Sequence, residues 1–165
     1  MPLYVGAYSA TSQWPNLIQP YTKSTQILQC PSYSGTEIVN YTASDLYNDS
    51  ATLCGPWPEF GFASASCNSA SGLQVPAATV WLLDSDGASS GKYHFYGGTT
   101  VAPTVTTTDP KILQMAGTNP IERHLGTTDV LWCGGHVKAM KIDALAKPRN
   151  ATNANVMSLF TIADD

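Results

Sequence analysis

The run Asp129-Val-Leu-Trp-Cys-Gly-Gly-His-Val-Lys-Ala-Met140 sets a glycine pair between two strand-like stretches, and few local features restrict a fold more. A two-residue hairpin turn of type I′ needs positive φ at both central positions, which glycine adopts without steric cost. Placing that turn at Gly134-Gly135 predicts the pairs Cys133–His136, Trp132–Val137, Leu131–Lys138, Val130–Ala139 and Asp129–Met140. Side chains alternate along a strand, so Val130, Trp132, Val137 and Ala139 are expected on one apolar face. Asp129, Leu131, Cys133, His136, Lys138 and Met140 are expected on the other. The hairpin commits the chain to antiparallel sheet.

The rest of the chain is read around it. Residues 78–87 (ATVWLLDSDG) hold the clearest buried strand, a continuous apolar run that stops at an Asp/Gly turn. Residues 36–44 (TEIVNYTAS), 92–98 (KYHFYGG) and 156–164 (VMSLFTIAD) also read as strands. Ile27 to Cys30 is expected as a short strand stopped by Pro31. A short helix is expected near Pro15–Tyr21, with Pro15 tolerated in a first turn, and a helical turn over 141–147. Residues 110–117 fit a short helix or a strand equally. Residues 45–78 form a loop dense in Gly, Pro, Ser and Asn, long enough to need pinning or a task of its own. The expectation is an α+β fold: an antiparallel sheet with short helices and long loops, in one domain spanning 1–165.

Composition limits what such a domain can do. At 165 residues it can bury a core without a metal or disulfide staple. Only 12% of residues are charged, about half the usual share, and Ser, Thr, Asn, Gly and Pro take their place. That surface suits an extracellular setting. The net charge of −4 argues against nucleic acid, which needs a basic footprint. Residues 1–110 carry two basic against seven acidic residues, and 111–165 carry six against five, a net −5 and +1. No apolar run approaches the ~18 residues of a membrane span.

Cys30, Cys54, Cys67 and Cys133 are even in number and lack Cys-x-x-Cys spacing, which favours two disulfides in an oxidising compartment over a zinc site. A Cys54–Cys67 bridge would close a short loop within 45–78, worth ~3 kcal/mol. A metal site at His124, Cys133 and His136 lacks a fourth ligand, and a Cys133–His136 nucleophile pair lacks an orienting carboxylate. Asp84-Ser85-Asp86-Gly87 opens like a calcium loop at Asp84 and Asp86 but has no distal Glu. Sequons stand at Asn40, Asn48 and Asn150.

The stretch around the glycine pair also carries a resemblance. Arg123-His124, nine residues, then Gly134-Gly135-His136-Val137 resembles the C-terminal His-(nine residues)-Asp-Gly signature of a prepilin-type, processing-associated, pilin-like family. Residues 21–32 (YTKSTQILQCPS), ending in Cys-Pro-Ser, resemble a second family segment. Residues 37–44 (EIVNYTAS) and 78–86 (ATVWLLDSD) resemble two of its strands, in the same order. Gly134 stands where the family has Asp, which keeps the turn and removes a carboxylate. The family's N-terminal hydrophobic helix has no counterpart here, so the likeness is to the soluble head alone, with membrane contact only through such a helix. The resemblance implies a pilin-like head, exported to the cell surface or beyond, that packs with copies of itself and other pilin-like subunits in a pilus or a type II secretion pseudopilus. It implies neither catalysis nor a cofactor; calcium, found in related heads, is the one ligand it raises.

Two rival functions come from the residues. Trp57, Phe60, Phe62, Tyr93, Phe95 and Tyr96 could form a stacking platform for glycans or surfaces. A small hydrolase would draw acids from Asp84, Asp86 and Glu59 and a base from His94 or His124, with no spacing in support. His124 is instead expected to hydrogen-bond, tying the segment before the hairpin to a backbone carbonyl or a neighbouring strand.

Overall fold

The computed structural model describes residues 14–44, 73–87, 94–96, 103–148 and 157–160. The fold is broadly α+β, built on a sheet in the order β6-β3-β1-β2-β7-β8. Its strands are β1 (Tyr41–Ser44), β2 (Val80–Asp84), β3 (His94–Tyr96), β6 (Ala116–Gly117), β7 (Thr128–Trp132) and β8 (Val137–Met140). All neighbours are antiparallel except β1 and β3. A two-stranded ribbon, β4 (Thr104–Val105) and β5 (Leu113–Gln114), forms a second, separate sheet.

Helix α1 (Trp14–Thr22) accommodates Pro15 in its first turn and also Pro20 in its interior. It ends where Lys23 turns left-handed at φ 54° and donates its N–H to the Gln19 carbonyl, 2.8 Å. Trp14 and Ile18, one turn apart, face the sheet and pack with Leu28, Val39, Ala43, Tyr41 and Leu82. Leu28 belongs to a 3-10 turn (Gln26–Leu28), where a short strand was expected.

The larger cluster lies on the other side of the sheet. It joins Val80, Leu83, Leu113, Val130, Trp132, Ile142, Leu145, Met157 and Phe160, all buried. Strict alternation would put Val80 with Leu82, but the pairing of β2 with β7 shifts between them. That irregularity lets Val80 join Leu83 in the main core and leaves Leu82 under α1. Helix α2 (Ile142–Leu145) supplies two of the buried residues, as the sequence predicted for 141–147. The final segment differs from expectation: Met157 makes one bridge to Pro148, and Ser158–Phe160 is a 3-10 turn rather than a strand. Among the described residues no helix is long and apolar enough to cross a membrane.

The hairpin forms one residue out of the predicted register. Leu131 pairs with Val137, Val130 with Lys138, Asp129 with Ala139 and Thr128 with Met140. Trp132 takes His136 as partner, its N–H donating to the His136 carbonyl at 3.0 Å, while the Gly135 N–H closes back on the Trp132 carbonyl at 2.9 Å. The loop is therefore Cys133-Gly134-Gly135, a three-residue hairpin ending in a left-handed glycine. Only Gly135 has positive φ, +85°. Gly134 serves another need. Its N–H donates to the Pro76 carbonyl at 2.8 Å, and a Cβ there would stand 3.2 Å from the Ala77 backbone. The shift puts Lys138 opposite Val130, and Val137 is exposed. Gly135→Val is expected to destabilise the chain by about 1–3 kcal/mol, because a β-branched residue is strained at that φ although space is open around it. A thermal melt checks this, and an unchanged Tm would contradict the turn.

The type I′ geometry expected at the glycine pair occurs nearby instead. His124 and Thr127 exchange both backbone hydrogen bonds, 2.9 and 3.1 Å, around Leu125 (φ 53°) and Gly126 (φ 76°). Leu125 is fully exposed, so its left-handed strain is offset by no burial. Leu125→Asn should raise stability by about 1 kcal/mol, read as a higher urea midpoint with unchanged slope. A lower midpoint would mean that the leucine is held by contacts its exposure does not reveal.

Candidate functional site

Alternation decides which polar groups meet. Leu83 points to the main core, so Leu82 and Asp84 point to the α1 side; on β7 Val130 points to the core, so Asp129 and Leu131 point with Asp84. Asp84, the last residue of β2, is thereby buried at the rim of the smaller cluster. Its Oδ2 accepts the Asp129 N–H at 2.7 Å and the Thr128 hydroxyl at 3.5 Å. Oδ1 is buried with no hydrogen-bond partner. Burial pushes this carboxyl above its ordinary range, while the Asp129 N–H, His124 and Arg123 pull the other way.

His124 reaches this carboxylate from the Leu125-Gly126 turn. Its Nε2 lies 3.4 Å from Asp84 Oδ2, 3.4 Å from Cys30 Sγ and 3.9 Å from Asp129 Oδ2. The ring thus joins β2 to the segment before β1 through side chains, not through a backbone carbonyl. Cys30 is held from behind: its N–H donates to Asn40 Oδ1 at 2.9 Å, and the Asn40 amide donates to the Glu37 carbonyl at 3.2 Å. Asn40 is fully buried, which closes that sequon to glycosylation.

Arg123 donates to the Ser85 carbonyl and lies over the Tyr33 ring, 4.6 Å from its centroid. Glu122, next to it, accepts the Ile142 N–H at 2.7 Å and so caps α2, whose own Lys141 offers no side-chain cap. Nothing in the local sequence marked Glu122, since it acts on a helix 20 residues away. The arginine was marked only by the resemblance.

The other expected groups separate. Asp86 does not join Asp84; its carboxylate accepts the Asn119 N–H at 3.1 Å and the Asn119 amide at 2.8 Å. Cys133 and His136 do not form a pair: the His136 ring stacks on Trp132, centroids 5.8 Å apart and planes 9° apart. Burial pushes the Cys133 thiol up to about 11, leaving it neutral and a poor nucleophile. Cys30 and Cys133 are free thiols in this structure, and the other two cysteines of the expected disulfides lie outside the described residues. Cys54, Cys67, Trp57, Glu59, Phe60, Phe62, Tyr93, Asn48 and Asn150 lie outside the described residues. Of the other candidates, His94, Phe95 and Tyr96 supply the backbone of β3.

The geometry does not fit a Cys-His-Asp relay. A relay uses one imidazole nitrogen toward the nucleophile and the other toward the carboxylate. Here Cys30 and Asp84 approach the same nitrogen. Comparison with protein-family models, characterised proteins and solved structures found no match for the chain.

Proposed function

We propose that the chain is a structural, non-enzymatic head subunit of an extracellular filament, of the type IV pilus or type II secretion pseudopilus kind. One observation carries this reading. The four segments behind the family resemblance are spread from residue 21 to residue 137 and meet at one place. Asn40 of the 37–44 segment holds Cys30 of Cys-Pro-Ser, and Cys30 meets His124. Asp84 of the 78–86 segment also meets His124, and Arg123 bonds the Ser85 carbonyl. A signature whose parts fasten one another is a structural signature. The partners of such a subunit are copies of itself and related heads, meeting through apolar and small polar surface. Exposed Leu125, Val137, Ile38, Ile27 and Tyr21 supply apolar contact points, and sparse charge opposes close packing little.

Fractionation of cells that make the protein tests this. The chain should be recovered outside the cell in a sheared, pelletable filament fraction, and recovery from the cytosol alone would refute the reading. Association of the purified chain should persist from low to high salt, because screening weakens only contacts between exposed charges.

A further inference from the structure

Asp84 presents a buried carboxylate with one oxygen unpartnered, and its other oxygen meets the His124 ring nitrogen that the Cys30 thiol also approaches. We propose that Cys30, Asp84 and His124 form a binding site for a divalent d-block cation of the zinc class. The proposal is independent of the filament reading.

One donor atom from each of Cys30, Asp84 and His124 lies within 4.8 Å of the other two, and His124 Nε2 is 3.4 Å from both Cys30 Sγ and Asp84 Oδ2. Bonds of about 2.0–2.3 Å at tetrahedral angles place zinc ligands about 3.3–3.8 Å apart. The cluster is therefore near a liganding arrangement before any ion enters. One imidazole nitrogen cannot satisfy a thiol and a carboxylate at once through a single proton. It can share a cation with both. The fourth position falls to water, since Asp129, whose Oδ2 is 3.9 Å from the same nitrogen on a half-exposed side chain, is not part of the three-donor group.

The donor set selects the ion. Calcium and magnesium prefer oxygen alone, whereas one thiolate, one imidazole and one carboxylate suit zinc and its neighbours. Two anionic ligands balance a 2+ charge, and the ion would relieve the cost of burying Asp84. Binding forms a metal–sulfur bond and releases the Cys30 thiol proton to solvent. The supports are rigid. Asn40 fixes the Cys30 backbone, the sheet ladder fixes Asp84, and the two-residue turn fixes His124. A bound ion would staple three chain segments more than 90 residues apart at their extremes.

The test uses the full chain, reduced and freed of metal by chelation, titrated with Co2+ as a spectroscopic stand-in. A thiolate-to-cobalt charge-transfer absorption should saturate at one equivalent, disappear when Zn2+ is added, and be accompanied by a Zn2+-dependent rise in Tm. Cys30→Ser should abolish the absorption and Cys133→Ser should retain it. His124→Gln should weaken Co2+ binding at least tenfold. Absence of the absorption, its survival in Cys30→Ser, or stabilisation by Ca2+ but not by Co2+ or Zn2+ would overturn the site. Should Cys30→Ser fail to fold, His124→Gln decides: a Co2+ affinity equal to that of the parent chain refutes the proposal.

Discussion

Phe160→Ala is expected to cost about 3–5 kcal/mol, the largest effect of any single truncation considered. The ring is fully buried and packs with Val80, Leu83, Val130, Trp132, Ile142 and Leu145, so its loss leaves a void that the sheet and α2 cannot both close. For a chain of this length the penalty corresponds to a fall in Tm of roughly 10 °C. The conservative control is Phe160→Leu, which keeps most of the apolar volume and should lose less than half as much. Equal Tm values for Phe160→Ala and the parent chain would mean that the 3-10 turn over Ser158–Phe160 is not docked as described.

Asp84→Ala is the second. In metal-free chain it should destabilise by about 2–3 kcal/mol, chiefly by orphaning the Asp129 N–H, together with contacts to Thr128 and His124. Asp84→Asn separates acceptor from charge. Its amide oxygen can still take the Asp129 N–H, and it removes a carboxylate whose ionised form burial disfavours. The Asn variant should therefore sit within about 1 kcal/mol of the parent chain by urea unfolding. If Asn proves as damaging as Ala, charge and not hydrogen bonding holds the end of β2. Both comparisons need a chelator, so that a bound ion does not enter the difference.

The two predictions probe places that differ in how far sequence could reach them. β2 was legible because Val80 to Leu83 form an apolar run ended by Asp and Gly, and α2 was legible because a short apolar period precedes Pro148. The docking of Phe160 was not: its segment has strand composition, yet among its described residues Met157 alone makes a bridge, to Pro148. Composition reports a preference for burial and does not say which neighbour is vacant.

The hairpin shows the limit more sharply. Two glycines between strands announced a turn, and a turn is there. Its length, and therefore which residues face each other, depended on contacts outside the hairpin. The Gly134 N–H is taken by Pro76 and the Cys133 N–H by Thr79, which pull the turn against the segment before β2 and make the loop three residues long. A single-residue change in loop length moves every pair by one, because the side-chain period is two. The type I′ turn lodged instead at Leu125-Gly126, where leucine is a poor advertisement for positive φ.

The site follows the same division. Sequence alone determined that the chain would be a low-charge, sheet-rich α+β fold with an antiparallel hairpin near its C-terminal end, because hydrophobic period and turn chemistry are local properties. It also marked His124 and Asp84 as residues to watch, each for a different reason. Only the tertiary structure decided that they share one nitrogen-centred cluster with Cys30, and that Asp86, Cys133 and His136 turn to Asn119, the Thr79 carbonyl and Trp132 instead. The physical reason is that such convergence depends on strand register and on which sheet face each residue takes. Those are set by contacts between segments about 40 to 94 residues apart, and no local spacing encodes them.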